Sequence, residues 1–274
     1  MITRLPKFAC TILLLLLFVS CQKEIDGNEL IETEPPVLKA NTISVNDAIG
    51  GFYSGLPAHY KESRKKYPLL IFLHGSGQIG DGDTDLPLVL NEGVPELLKE
   101  KFFPANFQVN GQNFSFIILA PQFNRWPSTR DVVSFIHFAE QNYNVDSKRI
   151  YLSGLSMGGS VTADVGAEYP MIFAAIVPIS GIASKPNTID KSASIARANL
   201  PVWVFQNKMD NIALIQDTKN FIALIRSFNP SITPKYTEFL PFGLNNHDAW
   251  TRATDPSYKE NGMNMYEWML QYSR

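Results

Sequence analysis

The chain has 274 residues, 45% of them apolar and 18% charged, with a formal charge of −2. Such a mildly acidic chain lacks the basic surface that nucleic-acid binding demands, and its length and 18 Phe suffice for one domain with a substantial core. Its two cysteines, Cys10 and Cys21, both precede the region expected to fold, which excludes a disulfide inside the domain.

At the N-terminus Arg4 and Lys7 lead into an apolar run from Ala9 to Val19. That run is shorter than the roughly 20 residues a spanning helix takes, so residues 1–20 read as a secretory signal. The segment "LFVSC" resembles the processing site of bacterial lipoproteins, where cleavage leaves a lipid-bearing cysteine. The resemblance implies lipidation at Cys21 and an exported, membrane-anchored protein, periplasmic or at the cell surface. Loss of Arg4 and Lys7 with the signal takes the formal charge from −2 to −4. Residues 21–41, polar and acidic with Pro35 and Pro36, are too poor in clustered apolar residues to build a core and are predicted to be a tether. The domain is expected over 42–274.

Within it, "YPLLIFLHG" (67–75), "FSFIILAP" (114–121), "RIYLSG" (149–154), "FAAIVPIS" (173–180), "PVWVFQN" (201–207) and "KYTEFLPF" (235–242) are near-continuous apolar or β-branched runs. Strands buried on both faces of a parallel sheet have this composition. Between them, "STRDVVSFIHFAEQNY" places Val132, Phe135, Ile136, Ala139 and Tyr143 at helical spacing, with Ser128 and Asp131 as a capping box. "QDTKNFIALIRSF" repeats the period through Phe221, Leu224, Ile225 and Phe228. The alternation predicts an α/β fold with a mostly parallel, doubly wound sheet, helices on both faces and right-handed crossovers.

Reacting groups in such sheets collect at the C-terminal strand ends. The pattern "GLSMG" follows the third of these strands directly and opens a helix rich in small residues, which makes Ser156 the candidate nucleophile, with Gly154 and Gly158 leaving room for a sharp turn. Gly159 and Ala163 would let the helix approach the sheet. A serine hydroxyl needs a base. Of four histidines, His137 lies in a helical pattern, His59 precedes the central strands, and His74 ends a strand where it shapes a loop; His247, in a turn-rich segment after the last strand, is the candidate. The orienting carboxylate is expected at Asp210, just after the penultimate strand, rather than at Asp217, read as a helix N-cap, or Asp248, which adjoins the base and points elsewhere. Oxyanion donors are expected from the N–H of Met157 and from the loop "HGSGQIGDG", with Ser76 first and Gly77 behind it.

Residues 81–92 place Asp81, Asp83, Asp85 and Glu92 at calcium-loop positions 1, 3, 5 and 12, but Leu86 stands where the turn calls for glycine and Pro87 follows. The segment reads as an acidic loop rimming the site, with no metal or organic cofactor implied. Trp126, Trp250 and Phe123 flank the site loops and are candidates for stacking on a sugar or aromatic acyl group; packing is the equally physical alternative.

"YPLLIFLHGSG", "APQFNRW", "VDSKRIYLSGLSMGG", "FAAIVPISG", "NKMD" and "HDAW" together resemble the esterase branch of the α/β-hydrolases that includes polyhydroxybutyrate-depolymerase-like, feruloyl-esterase-like and "predicted peptidase" proteins. The likeness runs from about residue 50 to 274. It implies a serine hydrolase in which the matching Ser156, Asp210 and His247 are nucleophile, acid and base, acting on carboxylic esters and by analogy on acylated polysaccharides. One departure is "QNKMD", where relatives usually show a His-Gly pair before the acid. A serine peptidase of the same fold and a non-catalytic carbohydrate-binding lipoprotein stay open as alternatives.

Overall fold

The computed structural model describes residues 31–182, 188–240 and 245–274. The signal over 1–20, Cys21, the first part of the tether and residues 241–242 of the last expected strand lie outside them. Eight strands form one sheet: β1 (Val37–Asn41), β2 (Ile49–Leu56), β3 (Tyr67–Leu73), β6 (Ile117–Phe123), β7 (Val145–Leu155), β8 (Ala175–Ile179), β9 (Trp203–Asn207) and β10 (Lys235–Phe239). A separate hairpin supplies β4 (Phe107–Val109) and β5 (Gln112–Phe114). The sheet order is β1-β2-β6-β3-β7-β8-β9-β10; β6 through β10 run parallel, and β2 and β1 join one edge by antiparallel pairing.

All seven residues of β3 are buried, and successive ones face opposite ways. Leu69, Ile71 and Leu73 pack into one apolar cluster, while Leu70 and Phe72 pack into the other. The first cluster is closed by α2 (Thr129–Asn142), α3 (Met157–Glu168), α4 (Thr188–Arg197) and α5 (Ile215–Ser227), through Phe135, Val161, Ile195 and Phe221 among others. The second is closed by α1 (Gly93–Lys99), α6 (Trp250–Ala253), α7 (Met265–Leu270) and the hairpin, through Leu98, Phe107, Trp250 and Tyr266. A strand buried on both faces cannot alternate polar with apolar, which is why these segments read as continuous apolar runs. The Ser128–Asp131 capping box is present in both directions at the start of α2.

Two differences from the sequence reading concern boundaries. Residues 37–41, expected in the tether, are β1 and pair with 52–56 of β2. Ahead of them Glu32 is 1% exposed, its carboxylate 2.9 Å from His59 Nδ1, so the packed region begins before residue 42. An edge strand needs only one ladder of backbone bonds, and "VLKAN" therefore carries no apolar run. Asp217 is not an N-cap: Leu214 holds that position and Asp217 lies in the first turn of α5.

Candidate active site

β7 ends at Leu155 and α3 begins at Met157, so Ser156 alone makes the turn. Its φ of 51° and ψ of −112° place a residue with a side chain in left-handed backbone, a strain of about 1–3 kcal/mol. The N–H of Ser156 donates to Ile179 C=O in β8 at 2.9 Å, and its own C=O accepts from Ser160 at 3.0 Å. Neighbouring backbones come close because side chains are missing. A Cβ on Gly158 would collide with the Leu73 carbonyl, one on Gly154 would lie 2.7 Å from the Gly158 carbonyl, and one on Gly181 would strike that of Ser156. Gly159 meets Ile179 in the same way, 2.5 Å from its carbonyl oxygen.

His247 Nε2 lies 2.8 Å from Ser156 Oγ, and its Nδ1 lies 2.8 Å from Asp210 Oδ2. An ionised carboxylate only accepts, so Nδ1 carries the proton and Nε2 is left to accept from the serine hydroxyl. His247 and Asp210 are 7% and 5% exposed. The other oxygen of Asp210 accepts from the N–H groups of Ile212 and Ala213 at 2.9 and 3.0 Å, which fixes the carboxylate plane.

The departure at "QNKMD" is occupied by amides that serve these loops. Gln206 donates to Asp210 Oδ2 at 3.4 Å and to the Ala213 carbonyl, and Asn207 donates to the Asp248 carbonyl at 2.8 Å. The loop that carries His247 has two further ties: Ser180 Oγ donates to the His247 carbonyl at 2.7 Å, and the His247 N–H donates to Asn245 Oδ1 at 3.0 Å. The carboxylate of Asp248 turns away, accepting from the N–H and hydroxyl of Thr251 at the start of α6.

The loop after β3 lies against the serine. A Cβ on Gly75 would be 3.7 Å from that of Ser156, and Ser76 and Gly77 follow in an exposed single turn of 3-10 helix over Ser76–Gln78. His74, 3% exposed, holds this loop: Nδ1 donates to the Gly75 carbonyl at 2.6 Å, while Nε2 accepts from the Phe123 N–H at 2.9 Å. Burial pushes the His74 imidazole down to about 4, against the raising effect of its Gly75 bond, so it is neutral near pH 7. The first N–H groups of a helix have no intrahelical acceptor, and that of Met157 stands beside the serine at the start of α3.

Of the three aromatics expected to flank the site, only Trp126 is open, at 56% exposed. Phe123 is fully buried, stacked at a tilt on His74 with ring centres 5.3 Å apart, because the last residue of β6 points into the core. Trp250 is 4% exposed and sets its ring edge-on to His247, 5.3 Å away at 86°. Neither offers a face for stacking. In the acidic loop, Asp81 accepts from Thr84 Oγ1 and from the N–H groups of Asp83 and Asp85, and the Thr84 hydroxyl first, then these N–H groups, hold its carboxyl at about 2. Leu86 is buried in a small apolar cluster. Among the described residues no group of His, Cys, Asp or Glu is arranged to hold a metal ion.

Residues 127–228, which contain the serine turn and Asp210, match the family model described as Esterase PHB depolymerase. Over 94 residues the chain is 33% identical to a bifunctional acetylxylan esterase/xylanase from Neocallimastix patriciarum, a stretch covering 34% of this chain and 13% of that protein. Over 52 residues it is 36% identical to feruloyl esterase B of Neurospora crassa, covering 19% and 18% respectively. The chain thus matches less than a fifth of the length of either relative. Among solved structures, a thermostable esterase superposes with a TM-score of 0.60 at 22% identity, covering 89% of this chain and 64% of that one. At that identity the likeness establishes the fold, which is that of the α/β-hydrolases.

Proposed function

From an α/β-hydrolase fold that is similar to the serine esterases and supports ester hydrolysis, we propose that this chain is a serine carboxylic-ester hydrolase working through an acyl-enzyme. The observation that carries this reading is the unbroken line from Asp210 Oδ2 through His247 to Ser156 Oγ, both links at 2.8 Å, with the serine strained at a strand-to-helix turn. In the first half-reaction the Oγ–H proton passes to His247 Nε2 as Oγ bonds the ester carbonyl carbon. Asp210 keeps the imidazole in the accepting tautomer and balances the imidazolium. The carbonyl oxygen, now anionic, takes hydrogen bonds from the Met157 N–H and the Ser76 N–H, with Gly77 next in that loop. Collapse breaks the ester C–O bond, and the imidazolium gives its proton to the departing alcohol. Water repeats the sequence on the acyl-serine and releases the acid.

We assign acylated polysaccharides or their fragments as the substrate class. Support comes from the acetylxylan and feruloyl esterase activities named for the two relatives and from Trp126, which follows the C-terminal end of β6 with its ring exposed. The segment "LFVSC" supports export with a lipid on Cys21. Incorporation of labelled fatty acid into the expressed protein, abolished by Cys21→Ser, is the expected result; equal labelling of both overturns the anchor.

The test of the activity is a fluorophosphonate probe on the purified chain beside Ser156→Ala, followed by release of acetate from acetylated xylan and of ferulate from methyl ferulate. Labelling and turnover lost together in the variant are expected. Folded wild-type protein that neither labels nor turns over esters overturns the enzyme reading, and faster cleavage of peptides than of esters overturns the substrate class.

A further inference from the structure

Glu92 has no part in the mechanism above, yet it touches both halves of the site. It ends the short 3-10 turn Leu86–Asn91 and caps α1, which aims its half-buried carboxylate inward. Gln78 donates to its Oε2 through Nε2 at 2.6 Å, and the Trp250 indole lies near the same carboxylate and lowers its pKa. Those two partners belong to different loops. Gln78 closes the turn that carries Ser76 and Gly77: its N–H donates to the Gly75 carbonyl at 3.2 Å, and its own carbonyl accepts from Gln122 at 3.0 Å. Trp250 sets its ring edge against the His247 imidazole at 5.3 Å. One carboxylate therefore holds the loop beside the serine and faces the wall behind the base.

We propose that Glu92 is a positioning residue, bracing the Ser76–Gln78 turn through its bond from Gln78 and setting its charge beside the packed Trp250–His247 pair; the catalytic part of this rests on the esterase reading above. A brace made of hydrogen bonds to a carboxylate is stronger than one between neutral groups, and it is worth most where two loops must keep register. The charged groups facing Glu92 are His247 and Asp248 from the base loop, with Glu96 one turn along α1. Burial first, and then Asp248, raise its carboxyl above the ordinary range, while Gln78, Trp250 and His247 pull it down. The negative charge of Glu92 thus faces the group that becomes cationic during turnover.

The experiment compares wild type, Glu92→Ala, Glu92→Gln and Trp250→Phe by ester kinetics across pH and by the low-field proton NMR signal of the His247 Nδ1–H, which needs no turnover. Loss of positioning predicts that Glu92→Ala lowers kcat by about 10- to 100-fold with KM nearly unchanged, and shifts or broadens that signal. Glu92→Gln, which keeps one acceptor, recovers part of kcat while the acidic limb of its kcat/KM profile moves to lower pH. Trp250→Phe keeps a ring against His247 and removes the polar indole N–H near Glu92, so it falls between wild type and Glu92→Ala. If Glu92→Ala does not fold, the signal and profile of Glu92→Gln decide. An unchanged His247 signal in a folded Glu92 variant overturns the proposal, whatever the rates. A wild type without esterase activity whose signal still responds to Glu92 would sink the esterase reading and leave the brace standing.

Discussion

Ser156 and His247 meet at 2.8 Å, but the chain brings them there by different means. Around the serine the geometry comes from absent atoms: Gly154, Gly158, Gly159 and Gly181 let four stretches of backbone approach within distances that any Cβ would forbid. Around the histidine it comes from atoms that are present, the hydroxyl of Ser180 and the amides of Asn207 and Asn245 holding a loop that belongs to no strand. The first region is part of the core and shares its cooperativity. The second is a polar lattice laid over the core, and its members can be removed singly.

The contrast is open to attack in order of effect. Asp210→Asn keeps the loop's shape but lets Nδ1 lose its charged partner; kcat is expected to fall by about 10⁴-fold with the melting temperature nearly unchanged, read by ester kinetics beside calorimetry. Gly158→Ala does the reverse. By driving a methyl group into the Leu73 carbonyl it is expected to cost about 3 kcal/mol or more of stability, seen as a lower urea midpoint, with activity lost only as the fold is lost. A Gly158→Ala protein of wild-type stability would show that the serine turn is not part of the core.

His74 tests the border between the two regions. Its imidazole ordinarily titrates near 6.5 and is held at about 4 in the fold, so the unfolded chain takes up a proton that the folded chain refuses. Stability is then complete above pH 6.5 and declines as pH falls toward 4, by about 3 kcal/mol in all. Urea midpoints measured across that window should lose this slope in His74→Gln. The smallest effect belongs to single ties of the base loop: Ser180→Ala should cost about 1 kcal/mol of stability and reduce kcat only modestly, and a loss as large as that of Asp210→Asn would contradict the picture of independent ties.

The same contrast explains what the sequence reveals. The turn at Ser156 is legible because steric rules are written in residue type: "GLSMGG" after "RIYLS" admits few other conformations, and buried parallel strands such as Leu69–Leu73 and Ile117–Ala120 announce themselves as unbroken apolar runs. Asp210 and His247 are legible by their places after β9 and β10, since chain order and strand ends limit the choice. The polar lattice is not legible. Gln206 and Asn207 stand out only as departures from a familiar pair, and nothing in their identity says that they reach Asp210 and Asp248. Glu92 appears as the twelfth residue of an imperfect calcium loop, because the helix start that turns it inward depends on where Gly93 enters left-handed backbone, with a φ of 68°. Phe123 and Trp250 mislead for a related reason: a large ring near a strand end is equally suited to packing, and the register of β6 and the short α6 decides which way it faces. Strands β1 and β2 escape notice because "VLKAN" and "IGGFYSGL" lack an unbroken apolar run.

Pairing of β1 along β2 also bears on how this chain behaves among its own copies. The ladder from Val37 to Asn41 covers the free backbone of Phe52–Leu56, and Glu32 is locked against His59 just ahead of it. β1 is itself an edge, but a short one that carries Lys39; a chain cut back to residue 42 would instead present the longer and more apolar β2 as its edge, a better template for recruiting a strand from another molecule. Such a truncated protein is expected to keep its central strands and yet aggregate, whereas one that begins ahead of Ile31 stays dispersed; light scattering of the two would tell them apart. Five residues that read as tether thus exchange a long apolar edge for a short charged one, which lowers the tendency to self-adhesion.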